Sequence, residues 1–172
     1  MVHGNIVRAP EPSRARNLAS DAQTFMEESL KSLTLARNAM NLIVGYLPAR
    51  TLSYTSYCAA VVKLQNGNRA VLVTEAGASA SGITGTLLSQ MENALHVPVL
   101  GGASPTPGQG TWHMNDAEQQ ALAVFSSAVQ NGGVWQGAVL KAVVANRTIC
   151  PSCTYTLQQR GFAVNGAEAV AP

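Results

Sequence analysis

The sequence contains few charged residues and no strong excess of either sign. Asp, Glu, Lys and Arg make up 12% of the 172 residues, whereas hydrophobic residues make up 47%. This balance is typical of a folded globular chain and favours it over a largely disordered one. The formal net charge of +2 is too small to indicate nucleic-acid binding by itself. It does not exclude such binding, because a local basic groove matters more than the total charge.

Long apolar runs are also missing. No run approaches the roughly 20 apolar residues that span a bilayer, so we expect no membrane partner. The first residues, Met1-Val2-His3-Gly4-Asn5, lack the basic-then-apolar pattern of a signal peptide. The length suggests one domain with a genuine core.

Cysteine is scarce, and its odd count of three argues against a closed disulfide framework. Cys58 stands alone in an apolar run, where a small buried hydrophobic side chain is expected. Cys150 and Cys153 form a close pair. This pair is therefore the candidate for metal binding or redox chemistry.

Hydrophobic periodicity predicts alternating helices and strands after a tail or linker at residues 1–19. Apolar residues at helical spacing and capping signals place the helices, and β-rich or continuous apolar runs place the strands. Predicted helices cover 20–44, 86–96, 115–130 and 151 to about 160; predicted strands cover 51–64, 69–74, 97–100, 134–145 and 161–164. We expect an α/β sandwich, with 134–145 as a central strand covered on both sides.

Three local signals refine this pattern. Ser20 followed by Gln23 fits a capping box at the start of the first helix. Asn66-Gly67 between two β-rich runs predicts a hairpin with a type I′ turn. The Gly- and Pro-rich stretch at 101–110 predicts a functional loop without regular structure.

The Cys-Pro-Ser-Cys segment at residues 150–153 follows the central strand and begins a helix. Pro151 suits the first helical position, where its missing N–H costs nothing. The free N–H groups and the positive end of the helix dipole favour thiolates there. The pair alone is consistent with half of a zinc site or with a redox dithiol.

Asp116 and Glu118 lie at the start of the helix that precedes the central strand. A strand–helix crossover can bring the two helix starts together. Asp116 and the two thiolates would then give three zinc ligands and an open fourth position, with Glu118 as a nearby acid/base. Alternatively, Asn115 and Glu118 form an ordinary capping box, and Asp116 is an ordinary first-turn acid.

The joint pattern resembles the cytidine deaminase-like superfamily, whose signature is H-x-E, or less often C-x-E or D-x-E, followed by P-C-x-x-C. Asp-Ala-Glu at 116–118 and Cys-Pro-Ser-Cys at 150–153 carry the resemblance, which covers about residues 20–165. The chain looks most like the deaminase toxin domains at the C-termini of bacterial polymorphic toxins. This implies a three-layer α/β/α deaminase-like sandwich with a central mixed sheet, in which residues 20–172 form a single catalytic domain.

The resemblance also implies an activity. Zn²⁺ held by Asp116, Cys150 and Cys153 would activate water, Glu118 would move protons, and cytosine in single-stranded DNA would become uracil. RNA, double-stranded DNA and free nucleosides or nucleotides are alternative substrates, and a dithiol redox or structural-zinc module is the alternative without deaminase activity. Trp112 and His113 are candidates for stacking on the base.

The toxin resemblance implies a cognate immunity protein that blocks the site. It also implies secretion as the C-terminal part of a larger toxin and action in the cytoplasm of a recipient cell. Lys141, Arg147 and Arg160 are candidates for phosphate contacts, although scattered basic residues are usually only solvated.

The sequence departs from the family signature in two ways. The usual first ligand is histidine, and Asp116 would add a third negative charge against the two positive charges of zinc, which weakens the Lewis acid. His113 is the alternative ligand. In addition, proline follows the first cysteine of the pair and does not precede it.

Overall fold

The computed structural model describes residues 12–76, 82–102 and 116–172, and side chains in the first helix from Leu18 onward. Five α-helices and six strands form within these residues. The helices are α1 (Pro12–Tyr46), α2 (Ala49–Tyr54), α3 (Gly85–Leu95), α4 (Ala117–Asn131) and α5 (Pro151–Gln159). The strands are β1 (Tyr57–Lys63), β2 (Arg69–Glu75), β3 (Val99–Gly102), β4 (Val139–Ala145), β5 (Ala163–Asn165) and β6 (Glu168–Val170).

The six strands form one mixed sheet in the order β3-β2-β1-β4-β6-β5. β2 and β3 run parallel, and the other neighbouring pairs are antiparallel. β1 and β4 lie at the centre, as the apolar run at 134–145 predicted for the latter. A short 3₁₀ turn (Gly133–Trp135) precedes β4, so this strand is shorter than expected.

Helices cover both faces of the sheet. α1 and α3 pack on one face, which receives Tyr57, Ala59 and Val61 from β1. α4 and α5 pack on the other face, which receives Cys58, Ala60 and Val62. The alternation along β1 follows the two-residue period of a strand. The architecture is therefore mixed α/β and compatible with the predicted α/β sandwich, and Cys58 is buried as expected.

The predicted boundaries at the start of α1 and around α2 are also wrong. The first helix begins at Pro12, so Ser20 lies inside it and does not form a capping box; residues 12–19 include the good helix formers Ala, Arg and Leu. Residues 49–54 form α2, although a strand was predicted from residue 51. The Arg147 guanidinium donates hydrogen bonds to the Leu52 and Ser53 carbonyls at the end of α2, where a cation is favourable.

The predicted β1–β2 hairpin is confirmed, but its turn is not type I′. Cys58 faces Thr74, and Lys63 faces Arg69. Gly67 has a positive φ of 88°, whereas Asn66 does not share this conformation, which a type I′ turn requires. The Asn66 side chain instead accepts a hydrogen bond from the Asn68 N–H.

The end of the chain forms a hairpin, not a single edge strand. β6 pairs with β4, and β5 pairs with β6 at the sheet edge. Gly166, with a φ of 61°, lies in the turn between them. Among residues 12–76, 82–102 and 116–172, no helix is long and apolar enough to cross a membrane.

Candidate metal centre

The starts of α4 and α5 meet at one end of the sheet. β2 and β4 both end beside the first residues of β1, because Cys58 pairs with Thr74 on one side and with Ala145 on the other. The five residues after β4 lead directly into α5. The Ile149 N–H donates to the Gly166 carbonyl at 2.9 Å and ties this connection to the β5–β6 turn.

Asp116 occupies the N-cap position of α4, but its carboxylate makes no capping hydrogen bond to the helix. Asn115, the N-cap of the alternative capping box, lies outside the described residues. The buried Thr74 hydroxyl donates to the Ala117 carbonyl at 2.6 Å and fixes the first residue of α4 on the end of β2. Thr74 thus sets where Asp116 lies relative to the sheet.

Cys150 occupies the N-cap position of α5, with Pro151 at the first helical position as predicted. Its Sγ accepts a hydrogen bond from the Cys153 N–H at 3.4 Å, which replaces the usual oxygen cap. The first turn of α5 therefore holds both sulfur atoms on the side that faces α4.

Asp116, Cys150 and Cys153 form one cluster. Asp116 Oδ2 lies 3.4 Å from Cys150 Sγ and 3.3 Å from Cys153 Sγ. The three candidate ligand atoms lie within 4.8 Å of one another, and both cysteines are free thiols. Tetrahedral zinc with ordinary Zn–S and Zn–O distances separates its sulfur and oxygen ligands by about 3.5 Å. The donor set and spacing therefore fit a metal ion.

The acidic groups around the cluster also favour the binding of a cation. Burial raises the pKa of the Cys153 thiol, and the neighbouring Cys150, Glu118 and Asp116 raise it further. The sequence predicted a thiolate from the helix N-terminus alone, but burial and nearby acids oppose that ionisation. A bound divalent cation would reverse this balance, because it stabilises the deprotonated ligands.

Glu118 lies in the first turn of α4, beside this cluster, and only 6% of its surface is exposed. Burial raises the pKa of its carboxyl group, and Asp116 contributes in the same direction. The fully buried Cys58 lies near it, and burial followed by the Glu118 charge raises the pKa of the Cys58 thiol. A carboxyl group with a raised pKa is suited to exchanging protons near neutral pH.

Other predicted site residues are not brought into this cluster. Trp112 and His113 lie outside the described residues, as does most of the 101–110 stretch. Arg147 binds the end of α2, and Lys141 donates to the Pro172 carbonyl at 3.3 Å. These two basic residues have intramolecular partners that compete with any phosphate contact.

Sequence reasoning missed two residues that support the cluster. Thr74 anchors α4, and Gln119 bridges α4 to α5 by donating to Thr156 Oγ1 at 3.0 Å. Neither belongs to a recognisable motif. The one available signal was that the polar Thr74 directly follows the apolar run 70–73 in β2.

The comparisons with known proteins add nothing to the geometry of this site. Comparison of the chain with protein-family models, with curated protein sequences and with solved structures gives no match.

Proposed function

We propose that this chain is a zinc-dependent hydrolytic deaminase that converts cytosine to uracil in nucleic acid, with single-stranded DNA as the preferred substrate. The observation that carries the proposal is the meeting of Asp116, Cys150 and Cys153 beside the buried Glu118. The resemblance of the D-x-E and C-x-x-C motifs to the cytidine deaminase-like superfamily supports this choice of chemistry. The mixed α/β architecture is compatible with an α/β sandwich, the coarser part of what this resemblance implies.

The ligand set favours zinc among the common divalent ions. Two sulfur donors and one carboxylate oxygen match the borderline-soft character of zinc better than the all-oxygen preference of magnesium or calcium. When bound, zinc would supply the Lewis acidity that makes water a nucleophile near neutral pH. Asp116, Cys150 and Cys153 would hold it.

Glu118 has the proton-transfer role in this proposal. It accepts a proton from the attacking water and delivers protons to the cytosine ring nitrogen and to the departing amine. Water adds to the carbon that bears the amine, the C–N bond breaks, and the products are uracil and ammonia. The raised pKa of Glu118 supports this role, because the group must both accept and release protons.

A structural zinc site is the main rival among metal-based functions. Structural sites are usually closed by four protein ligands, whereas catalytic sites keep one position open. Among residues 12–76, 82–102 and 116–172, the candidate group contains three ligands. Three protein ligands favour a catalytic site over a structural one. His113 lies outside these ranges, and its binding as a fourth ligand would favour a structural site instead.

The same resemblance also suggests a biological role for the domain. We place the domain at the C-terminus of a larger secreted toxin that acts in the cytoplasm of a recipient bacterium. A cognate immunity protein would protect the producer by covering the site. RNA, double-stranded DNA and free nucleosides remain the alternative substrates within the same chemistry.

The test incubates the zinc-loaded chain with cytosine-containing single-stranded DNA, duplex DNA, RNA and free cytidine. Uracil or uridine formation is measured by mass spectrometry. We expect the largest rate on single-stranded DNA, because its bases enter a pocket without the cost of unpairing. Absence of deamination on all four substrates would overturn the proposal, and preference for another substrate would correct its substrate class.

The matched variants are Glu118→Gln and Glu27→Gln. Glu118→Gln removes the proton acceptor while keeping the side-chain size, so turnover should fall by at least about 100-fold with zinc still bound. Glu27 is an exposed glutamate of α1, and its substitution should leave turnover unchanged. Activity retained by Glu118→Gln would remove Glu118 from the mechanism.

A further inference from the structure

We propose that Gln119 is a positioning residue that donates an N–H to the Cys153 sulfur and thereby tunes the metal centre. The inference rests on the proposed metal centre but not on the identity of the substrate. Gln119 lies in the first turn of α4, between the acid/base candidate Glu118 and the buried Gln120. Its side chain points across to α5.

The Gln119 amide has one short contact and one longer contact with α5. Its Nε2 lies 3.0 Å from Thr156 Oγ1 and 4.0 Å from Cys153 Sγ. Cys153 and Thr156 are three residues apart on α5, so both side chains lie on the helix face that meets α4. An amide nitrogen carries two hydrogens, and one can serve each acceptor.

Thr156 is oriented to accept this bond. Its hydroxyl donates to the Ser152 carbonyl at 3.1 Å, which commits its one hydrogen and leaves a lone pair for Gln119. The Gln119 amide is thereby fixed with its nitrogen toward α5. The second N–H then has the Cys153 sulfur as its acceptor.

The charge of the ligand set explains why such a donor is useful. Asp116 and two thiolates carry three negative charges against the two of a divalent ion, so the centre has a net charge of −1. The Cys150 sulfur receives the Cys153 N–H at 3.4 Å, and Gln119 supplies an N–H to the other sulfur. Donors to ligating groups fix their orientation and modulate how much charge they give to the metal.

Removal of this donor should alter the metal centre itself. With less N–H stabilisation, Cys153 holds more negative charge on sulfur, and the sulfur-to-metal charge-transfer energy falls. Affinity should also fall, by about 10- to 100-fold, the usual effect of removing an outer-sphere partner. A contact that served only to join α4 and α5 would change stability without moving the charge-transfer band.

The experiment uses the full chain and cobalt(II), since zinc has no d-electron spectrum. Cobalt(II) affinity is measured by competition with a chelator, and the sulfur-to-cobalt band is recorded at saturation. The variants are Gln119→Leu, which keeps the side-chain size, and Thr156→Val, which removes the acceptor that orients the amide. Gln158→Leu, at an exposed glutamine of α5, is the matched control.

We expect Gln119→Leu to bind cobalt 10- to 100-fold more weakly, with its band at longer wavelength. Thr156→Val should show a smaller change in the same direction and carries the test if Gln119→Leu does not fold. Gln158→Leu should match the wild type. Unchanged affinity and band position in the folded Gln119 or Thr156 variant would overturn this inference alone, whereas a wild-type chain that binds no metal would overturn the proposed function.

Discussion

Asp116 Oδ2 lies 3.3 Å from Cys153 Sγ, although 37 positions separate the two residues in the chain. The same oxygen lies 3.4 Å from Cys150 Sγ. In the chain, β4 follows α4 and precedes α5. Because β4 crosses the centre of the sheet, it returns the chain to the end of the sheet where α4 begins. One carboxylate oxygen facing two thiols is the relationship on which the proposed metal centre depends.

The three cysteines should differ in their reactivity. Cys150 is half-buried, whereas Cys58 and Cys153 are buried, so alkylation of the native metal-free chain should modify Cys150 first. Zinc should suppress that modification, because a coordinated thiolate is withdrawn from the reagent. Peptide mass spectrometry after timed iodoacetamide treatment measures both effects. Equal labelling rates at Cys58 and Cys150, or no protection by zinc, would contradict this arrangement.

Thr74 should stabilise the start of α4. Thr74→Val keeps the side-chain shape but removes the hydroxyl that donates to the Ala117 carbonyl at 2.6 Å. We expect the free energy of unfolding to fall by about 1 kcal/mol, together with a loss of metal affinity because Asp116 is less firmly placed. Urea denaturation and metal titration measure the two effects. Thr74→Ser should restore metal affinity, and equal affinity in the Val and Ser variants would remove Thr74 from any role in placing Asp116.

Substitution of two helical leucines should show how much packing on the sheet contributes to the free energy of unfolding. Leu87 of α3 is 1% exposed in the core beneath α1, whereas Leu30 of α1 is 59% exposed. Leu87→Ala should lower the free energy of unfolding by about 2–5 kcal/mol, since it leaves a cavity. Leu30→Ala should change it by less than about 0.5 kcal/mol. Equal effects in denaturant titrations would mean that α3 does not pack as described.

The Arg37–Glu168 ion pair should make stability depend on pH. Arg37 Nε and Nη2 donate to the two Glu168 carboxylate oxygens at 2.6 and 2.7 Å. These bonds, with the Arg37 charge, hold the pKa of Glu168 below its usual 4.5. The stabilisation is therefore present above the usual glutamate pKa and is lost as pH falls through the lowered value.

Urea denaturation of the wild type and of Glu168→Gln, from about pH 7 to about pH 3, measures this contribution. The wild type should be more stable at neutral pH, and the difference should shrink with acidification. Glu27→Gln, at an exposed glutamate that accepts a hydrogen bond from the neutral Gln23, is the control. A wild-type advantage that stays constant across the titration would show that Glu168 ionisation does not contribute.

The parts of the fold that the sequence predicted are those with strong local signals. The Asn66-Gly67 dipeptide and the alternation of β-rich runs gave the hairpin, and the continuous apolar run gave the central strand. The meeting of Asp116 with Cys150 and Cys153 followed from placing two motifs at helix starts on either side of one strand. Each motif or run is local in sequence, and the 37-residue separation of Asp116 and Cys153 was bridged by the predicted order of helix, strand and helix.

The parts that were wrong depend on distant contacts. Residues 51–54 have a local composition that favours a strand, but they form α2, whose last carbonyls bind Arg147 from 95 and 94 positions away. The anchoring by Thr74 and the bridge from Gln119 to Thr156 span 43 and 37 positions. Such contacts leave no spacing pattern in the sequence.

The most direct test is the metal content and ligation of the purified chain, compared with Asp116→Ala and His113→Ala. The proposal predicts one zinc per wild-type chain, with two sulfur ligands at about 2.3 Å and lighter ligands at about 2.0 Å by X-ray absorption. Asp116→Ala should lose most of this zinc, whereas His113→Ala should retain it. A wild-type chain without stoichiometric zinc, or zinc lost from His113→Ala and retained by Asp116→Ala, would contradict the proposed centre.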